Sequence, residues 1–193
     1  MKIRFLTAII AVAAVFCGAS AQKLAVKTNI LYDATATVNL GVEAKVAPQW
    51  TVDVSGNFNA WDISGHKWKH WALQPEARYW FCQAWSGHFV GAHLIAGQYN
   101  FGNLDMAFKF LGTDFRNLKD YRYQGWMGGF GIAYGYSWIL DRHWNIEAEI
   151  GLGWLYTRYD RFECADCGRK VETKHPHNYV GPTKAALNLI YTF

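Results

Sequence analysis

Long apolar runs are missing from most of this sequence. After Gln22 no stretch reaches the roughly 20 apolar residues that a membrane-spanning helix needs. Linkers, low-complexity tracts and solenoid repeats are missing as well, so we expect one domain over residues 22–193. Membrane helices and repeat architectures are thereby excluded as sequence-based interpretations of this segment.

A strong charge of one sign is also missing. Without Lys2 and Arg4, 17 basic residues oppose 15 acidic ones, a net charge of +2. This balance gives no reason to expect a nucleic-acid partner. What is abundant is aromatic residues, with 10 Trp, 11 Tyr and 12 Phe, although the mean hydropathy is only −0.09. Apolar residues that are frequent but interleaved favour an all-β class.

The first 21 residues have the pattern of a cleavable signal peptide. Lys2 and Arg4 precede an apolar run over residues 5–16, and Ala19-Ser20-Ala21 follows it. About a dozen apolar residues are too few for a membrane anchor, so we expect cleavage after Ala21. A lipoprotein site at Cys17 is the alternative, but Val15 and Phe16 fit it poorly.

Eight segments of the remaining chain alternate with a period of two, which predicts β-strands. We place them at residues 24–31, 37–47, 50–60, 71–81, 88–99, 126–140 and 144–156, with a last strand from Thr183 to Phe193. The last strand sets Thr183, Ala185, Leu187, Leu189, Tyr191 and Phe193 against smaller or polar residues. The faces of the fifth strand cannot be assigned, and Pro75 requires a bulge or an unpaired site in the fourth.

This alternation predicts an eight-stranded antiparallel transmembrane up-and-down β-barrel, because lipid outside and a polar lumen inside demand opposite faces. The connections at 47–49, 82–87 and 141–143 are short, and those at 32–36, 61–70, 100–123 and 160–179 grow longer, as in bacterial outer-membrane barrels. Tyr191 and Phe193 resemble the signal that barrel assembly machinery reads. Aromatic girdles are predicted from Trp50, Trp85, Trp138 and Trp144 at one rim and Trp61, Trp71, Trp126 and Tyr156 at the other.

Charged residues are predicted on the inner face of the barrel. The four cations are Lys27, Lys45, Arg78 and Lys184, and the five anions are Glu43, Asp53, Glu76, Glu147 and Glu149. Because eight strands enclose a lumen that side chains can fill, we interpret this set as a hydrogen-bonded plug. A narrow solute path, or a proton-linked site at Glu147 and Glu149, is the alternative.

The predicted last loop contains Cys164-Ala165-Asp166-Cys167 and His175-Pro176-His177. Two thiols and two imidazoles could bind zinc. Because the chain is expected to leave the cytosol, a disulfide between Cys164 and Cys167 is favoured, and free thiols are a third interpretation. We therefore expect no metal and no cofactor.

Catalytic motifs are absent from the sequence. Small outer-membrane barrels that modify lipids use a serine and a histidine, and Ser86, Ser137, His88, His93 and His143 are residues of those types. No GxSxG motif or phosphate-binding loop accompanies them. We expect a protein that is not an enzyme.

Several segments resemble domain of unknown function 3575. They are KTNILY at 27–32, NLGVE at 39–43, QPEARYW at 74–80, GHFVGAH at 87–93, GY at 135–136, WNIEAEIG at 144–151 and CADC at 164–167. The resemblance implies a small secreted barrel protein of Gram-negative anaerobes, with some members encoded near fimbrial genes. It implies no catalytic residue.

We therefore expect a structural or adhesion-associated protein of the outer membrane. Its expected partners are membrane lipid, the assembly machinery, and a surface protein or glycan that its loops contact. A narrow channel or transporter is the second hypothesis, and a lipid-modifying enzyme is the third.

Overall fold

The computed structural model describes residues 23–63, 66–103, 109–110, 113–114, 121–163 and 168–193. The elements within these ranges are β1 (Leu24–Asn29), α1 (Ile30–Ala34), β2 (Val38–Ala47), β3 (Trp50–Ile63), β4 (His66–Trp80), β5 (Gly87–Gly102), β6 (Lys109–Phe110), β7 (Thr113–Asp114), β8 (Arg122–Ile139), β9 (Trp144–Phe162) and β10 (Lys170–Thr192). No helix among these residues has the length and apolar character needed to cross a membrane.

Eight of the strands form one antiparallel up-and-down sheet that closes on itself. The order is β1-β10-β9-β8-β5-β4-β3-β2, and the first strand pairs with the last, with Val26 opposite Tyr191. The short strands β6 and β7 pair only with each other. The all-β prediction of eight antiparallel strands is confirmed.

The period-two pattern explains which face of each strand is buried. Along β8, Phe130, Ile132 and Tyr134 are exposed, whereas Gly131 and Ala133 between them are buried. On β5, whose faces the sequence left unassigned, the odd-numbered residues from Phe89 to Gly97 are buried. Successive side chains of a strand point to opposite faces, so one set fills the lumen and the other covers the outside.

Three short connections lie at one end of the barrel, which we call the turn end, and the opposite end is the loop end. The loop end contains the longest connection, 103–121, but the connection 61–70 predicted there is reduced to residues 64–65, because Ile63 of β3 already pairs with His66 of β4. The turn end contains the connections 48–49, 81–86 and 140–143, as predicted. At the loop end the strands are longer than predicted, since residues 66–70, 160–162 and 170–179 belong to β4, β9 and β10. Charged side chains there obscure the apolar alternation from which strands are recognised.

The first strand is shorter than predicted. It ends at Asn29, whose side chain accepts a hydrogen bond of 3.1 Å from the backbone N–H of Leu31 and so caps helix α1. Asn29 also ties this cap to β10, because its Oδ1 accepts the N–H of Leu187 at 3.1 Å. The segment 30–34 is therefore a helical turn fixed against the barrel wall.

Two prolines interrupt the ladders. Between β4 and β5, Leu73 pairs with Ala96 and Glu76 with His93, but no pair joins the residues between them. Pro75 lies in this gap, which confirms the predicted unpaired site. In β10 the register shifts between Pro182 and Lys184. The prediction that Thr183 shares the outer face with Ala185 is wrong, because this bulge turns Thr183 inward, where its Oγ1 lies 2.8 Å from His93 Nε2.

Most predicted girdle residues are exposed. Trp50, Trp138 and Trp144 lie at the turn end, and Trp61, Trp71 and Trp126 lie towards the loop end, all between 42% and 48% exposed. The prediction for Trp85 is wrong. This residue is only 4% exposed and packs into the mouth of the barrel.

Candidate functional site

Arg78 on β4 lies at the centre of the lumen and is fully buried. Its Nε lies 3.1 Å from Glu76 Oε1, its Nη1 lies 2.9 Å from Glu43 Oε2 and 3.1 Å from Glu147 Oε2, and its Nη2 lies 2.6 Å from Glu149 Oε2. One guanidinium thus joins carboxylates from β2, β4 and β9. Only a planar fork with five N–H donors can satisfy so many acceptors at once.

Two lysines extend the cluster towards β1, β3 and β10. Lys27 Nζ lies 3.0 Å from Glu43 Oε2 and 3.1 Å from Asp53 Oδ1. Lys184 Nζ pairs with Glu76, lies 3.1 Å from Glu149 Oε1, and approaches Asp53 Oδ2 at 3.9 Å. We call these eight residues the lumen network: Lys27, Glu43, Asp53, Glu76, Arg78, Glu147, Glu149 and Lys184.

The lumen network differs from the predicted plug in one residue. Lys45 is half-buried, and no ion pair within 4 Å joins it to any of the five carboxylates. Three cations therefore face five carboxylates. Buried charges at this density are tolerated only where each group is paired or hydrogen-bonded. Because carboxylates outnumber cations, the loss of any cation from the network would leave carboxylates without a partner and lower the stability.

Neutral residues donate further hydrogen bonds to two of the carboxylates, Glu43 and Glu147. Thr51 Oγ1 donates to Glu43 Oε1 at 2.5 Å and accepts the Trp80 indole N–H at 2.9 Å. Asn188 Nδ2 donates to Glu147 Oε1 at 2.8 Å. These contacts reduce the number of carboxylate lone pairs left without a donor.

Glycines provide the space for the network. A methyl group at Gly91 on β5 would collide with the Glu76 carboxylate, and one at Gly41 would lie 2.7 Å from Lys27 Cγ. The inner positions of β2 and β5 next to the charged side chains must therefore be free of side-chain atoms.

A hydrophobic layer closes the lumen between the network and the turn end. Its buried members are Ala25, Trp80, Ala84, Trp85, Phe89 and Ile190. The connection 81–86 folds into the barrel mouth, where the Trp85 carbonyl accepts the Asn145 side-chain N–H at 2.8 Å. Phe89 also contacts the network, because Arg78 Cζ lies 4.6 Å from its ring centre. The turn end is therefore capped by packed side chains.

His93 occupies the level above the network and was not predicted as a lumen residue. It is buried beside Glu76, its β4 partner, and methyl groups at Gly131 or Gly151 would come within 2.8 Å of its Cε1. The signal was weak, because alanines on the outer face of β5 and Ile95 on the inner face mask the alternation. His93 adds an imidazole to the charged residues that the sequence predicts in the lumen.

The space that remains beside the network is small. A cavity of 30 Å³, lined in part by Asp53, Asn57 and Lys184, lies between the network and α1. This volume suits about one or two water molecules. At this level the lumen is occupied by the buried side chains of the network and of Asn57.

The predicted cysteine and histidine cluster is only partly described. Cys164 and Cys167 lie outside the described residues. His175 and His177 lie on β10, opposite Tyr159 and Thr157 of β9, and not in a loop. Among the described residues, no group of three or more His, Cys, Asp or Glu is placed to hold a metal ion. Cys82 is exposed at the turn end.

The histidines considered for catalysis have other partners. His93 Nε2 contacts Thr183, His88 Nδ1 lies 2.6 Å from the Tyr134 hydroxyl, and His143 Nδ1 lies 2.9 Å from the Thr192 carbonyl oxygen. Ser137 is buried, where its hydroxyl accepts a 3.5 Å hydrogen bond from Asn145. Ser86 lies in the connection 81–86. The described contacts do not join either serine to a histidine.

The two aromatic residues of the predicted assembly signal lie together on the outer face at the turn end. The Tyr191 and Phe193 rings are 4.9 Å apart, and Tyr191 packs on Trp144 at 5.0 Å. Tyr191 near the end of β10 and Phe193 just after it lie on the same side, as the predicted register requires.

Comparison with known proteins identifies the family of the chain. No curated protein and no solved structure matches it. One family model, described as "Protein of unknown function (DUF3575)", matches residues 6–193. Because this match covers nearly the whole sequence, the chain belongs to the DUF3575 family.

Proposed function

We propose that the protein is a non-enzymatic outer-membrane β-barrel whose lumen is closed to solutes and which acts through its loop end. Large apolar residues on the outside support insertion in a membrane. Val38, Leu40, Phe58, Leu94, Ile132, Leu152 and Val180 are each between 56% and 72% exposed. A soluble monomer seldom exposes a continuous apolar surface of this kind, whereas a lipid-facing barrel requires it.

The spacing of the tryptophan girdles also supports insertion. Trp126 and Trp138 lie 12 residues apart on β8. At about 3.3 Å per residue this is about 40 Å along the strand, and a tilt of about 40° reduces it to about 30 Å across the membrane. That height matches the hydrocarbon thickness of a bilayer. Three short connections at the turn end and the longest connection, 103–121, at the loop end then favour a periplasmic turn end and an extracellular loop end.

The observation that carries the closed lumen is the fourfold pairing of Arg78. Its contacts with Glu43, Glu76, Glu147 and Glu149 bridge the interior between β2, β4 and β9. An eight-stranded barrel is just wide enough for side chains to fill. A solute would have to break several buried ion pairs and then pass the hydrophobic layer at the turn end, so the network is a better plug than a pathway.

Conductance of the refolded mature protein in planar bilayers tests this proposal. We expect no steady unitary currents from the wild type, with insertion verified by the shift of the folded band on unheated gels. Glu147→Ala and Arg78→Ala remove the central pairs, and Lys45→Ala is the matched control because it removes an inner-face lysine outside the network. Steady wild-type currents that either network variant alters would instead establish a narrow channel.

A structural or adhesion-associated role at the cell surface requires the loop end. The last connection to be deleted in a test is shorter than the predicted loop 160–179, because residues 160–162 and 170–179 belong to strands. Replacing only the connections 103–121 and 163–169 with short Gly-Ser turns leaves the barrel strands intact. We expect loss of surface binding or assembly. Unchanged binding and assembly in a variant that still inserts would contradict this role.

A further inference from the structure

A groove of 730 Å³ crosses the outside of the barrel at the loop end. Five strands line it with three consecutive residues each, at 58–60, 69–71, 98–100, 124–126 and 158–160. The outer two of each triple share the lipid-facing side of their strand, because side chains alternate. Trp71 Nε1 donates to Gln98 Oε1 at 3.2 Å, which places both side chains on this surface.

Cross-strand register arranges the outer residues of the groove in two rows. The row nearer the membrane centre runs from Phe58 to Trp71, Gln98, Trp126 and Arg158, each opposite the next. The row above it runs from Ala60 to Lys69, Asn100, Gln124 and Asp160. A row with three aromatic side chains, which also contains Gln98 and Arg158, therefore lies between the apolar band and a polar row.

The groove is basic. Among the described residues that line it, Lys69, Arg158, Lys170 and Lys174 are basic and Asp160 is the one acid, which gives these residues a formal charge of +3. Lys69 pairs with Asp62 at 3.1 Å and Lys170 with Asp160 at 2.7 Å, and all four side chains are 28–42% exposed. Ion pairs this exposed contribute little to stability, so either lysine can exchange its carboxylate for another anion.

We infer that this groove binds a phosphorylated glycolipid of the outer leaflet, an inference that rests on the proposed membrane insertion. Such a lipid presents acyl chains and then a phosphorylated sugar headgroup, in the order in which the wall presents its apolar band and then the two rows that contain the aromatic side chains, Arg158 and Lys69. Aromatic rings suit the interface, and lysine and arginine bind phosphate through charge-assisted hydrogen bonds. A free phosphate would use only the cationic side chains and none of the apolar or aromatic ones.

Binding to the refolded full mature protein tests the inference. The probes are a bis-phosphorylated acylated glucosamine disaccharide, the same glycolipid without phosphates, phosphatidylglycerol and inorganic phosphate, with bound lipid counted by native mass spectrometry. We expect the bis-phosphorylated lipid to bind at least tenfold more tightly than the phosphate-free one. Arg158→Gln and Lys69→Gln should each weaken it about fivefold, the effect of one basic residue near an anionic surface.

Two further variants sharpen the test. Arg142→Gln removes the same charge at the turn end and should leave binding unchanged. Asp160→Asn removes the acid of the groove and should strengthen binding. Equal affinity for the phosphate-free lipid, for phosphatidylglycerol or for inorganic phosphate would overturn the inference, as would equal effects of Arg142→Gln and Arg158→Gln.

Membrane insertion is measured separately by protease protection and gel mobility. If the protein inserts but shows no preference for the phosphorylated glycolipid, this inference fails and the proposed barrel function stands. If the protein does not insert, both fail.

Discussion

Replacing Arg78 should lower the free energy of unfolding more than replacing Lys45, the inner-face lysine that lies outside the lumen network. Arg78 is fully buried and contacts four carboxylates through three nitrogens. Arg78→Gln keeps much of the volume but leaves two cations to face five carboxylates. Breaking a buried pair by removing one partner costs about 3–5 kcal/mol, and we expect a loss in the free energy of unfolding of at least that size.

Arg78→Lys separates charge from geometry. A lysine keeps the positive charge, but its ammonium has three donors on a single nitrogen and cannot replace the contacts of three separate guanidinium nitrogens with four carboxylates. Loss of one charge-assisted hydrogen bond corresponds to about 1.5–3 kcal/mol, so the lysine variant should lie between the wild type and Arg78→Gln.

Urea unfolding of the protein in lipid vesicles, followed by tryptophan fluorescence, measures both effects. Lys45→Gln is the control, because Lys45 has no ion pair with the network carboxylates, and it should change the free energy of unfolding by about 0.5 kcal/mol or less. Adding Glu147→Gln to Arg78→Gln should restore part of the stability, since one unpaired carboxylate is removed. Equal losses for Arg78→Gln and Lys45→Gln would refute the argument that the network is a single paired unit.

Two other substitutions test local features. Gly91→Ala places a methyl group against the Glu76 carboxylate and should lower the free energy of unfolding by about 1–3 kcal/mol, as overpacking does; an unchanged urea midpoint would contradict this. At the loop end, Asp160 accepts hydrogen bonds from the Lys170 ammonium and the Lys174 backbone N–H, which lower its pKa. Since the folded pKa is depressed, the contact persists at neutral pH and is lost as pH falls below the usual carboxyl range. Asp160→Asn should therefore speed hydrogen exchange of the Lys174 amide at neutral pH, without changing the global unfolding midpoint.

Much of the lumen network follows from the sequence because strand geometry has a fixed period. Glu43, Asp53, Glu147 and Glu149 each lie in a strand whose opposite face is consistently apolar, so the inward assignment of the carboxylates needs no tertiary information. The prediction extends to Arg78, which shares the face of Glu76.

The sequence predictions are wrong where a β-bulge or a turn changes the alternation of inner and outer side chains. The bulge between Pro182 and Lys184 interrupts the alternation of inner and outer positions along β10. Thr183 therefore lies inside although Ala185, two residues later, lies outside. Tryptophan is common in girdles, which predicts a girdle position for Trp85, but the backbone of Trp85 is left-handed, with a φ of 65°, and its side chain packs in the mouth of the barrel. The selection of partners for Arg78 across three strands depends on register, which no single strand encodes.

The lumen network and the outer groove share β3, β4, β9 and β10 but should act independently. On β4, Arg78 and Lys69 are nine positions apart, about 30 Å at the rise of a strand, and they face opposite sides of the wall. Substitutions this far apart with no shared partner usually add. Arg78→Lys should therefore lower the free energy of unfolding and leave the glycolipid affinity unchanged. Lys69→Gln should weaken glycolipid binding and leave the free energy of unfolding unchanged. A plug that fixes the shape of the barrel, and a surface that selects the surrounding lipid, would then be two separable properties of one wall.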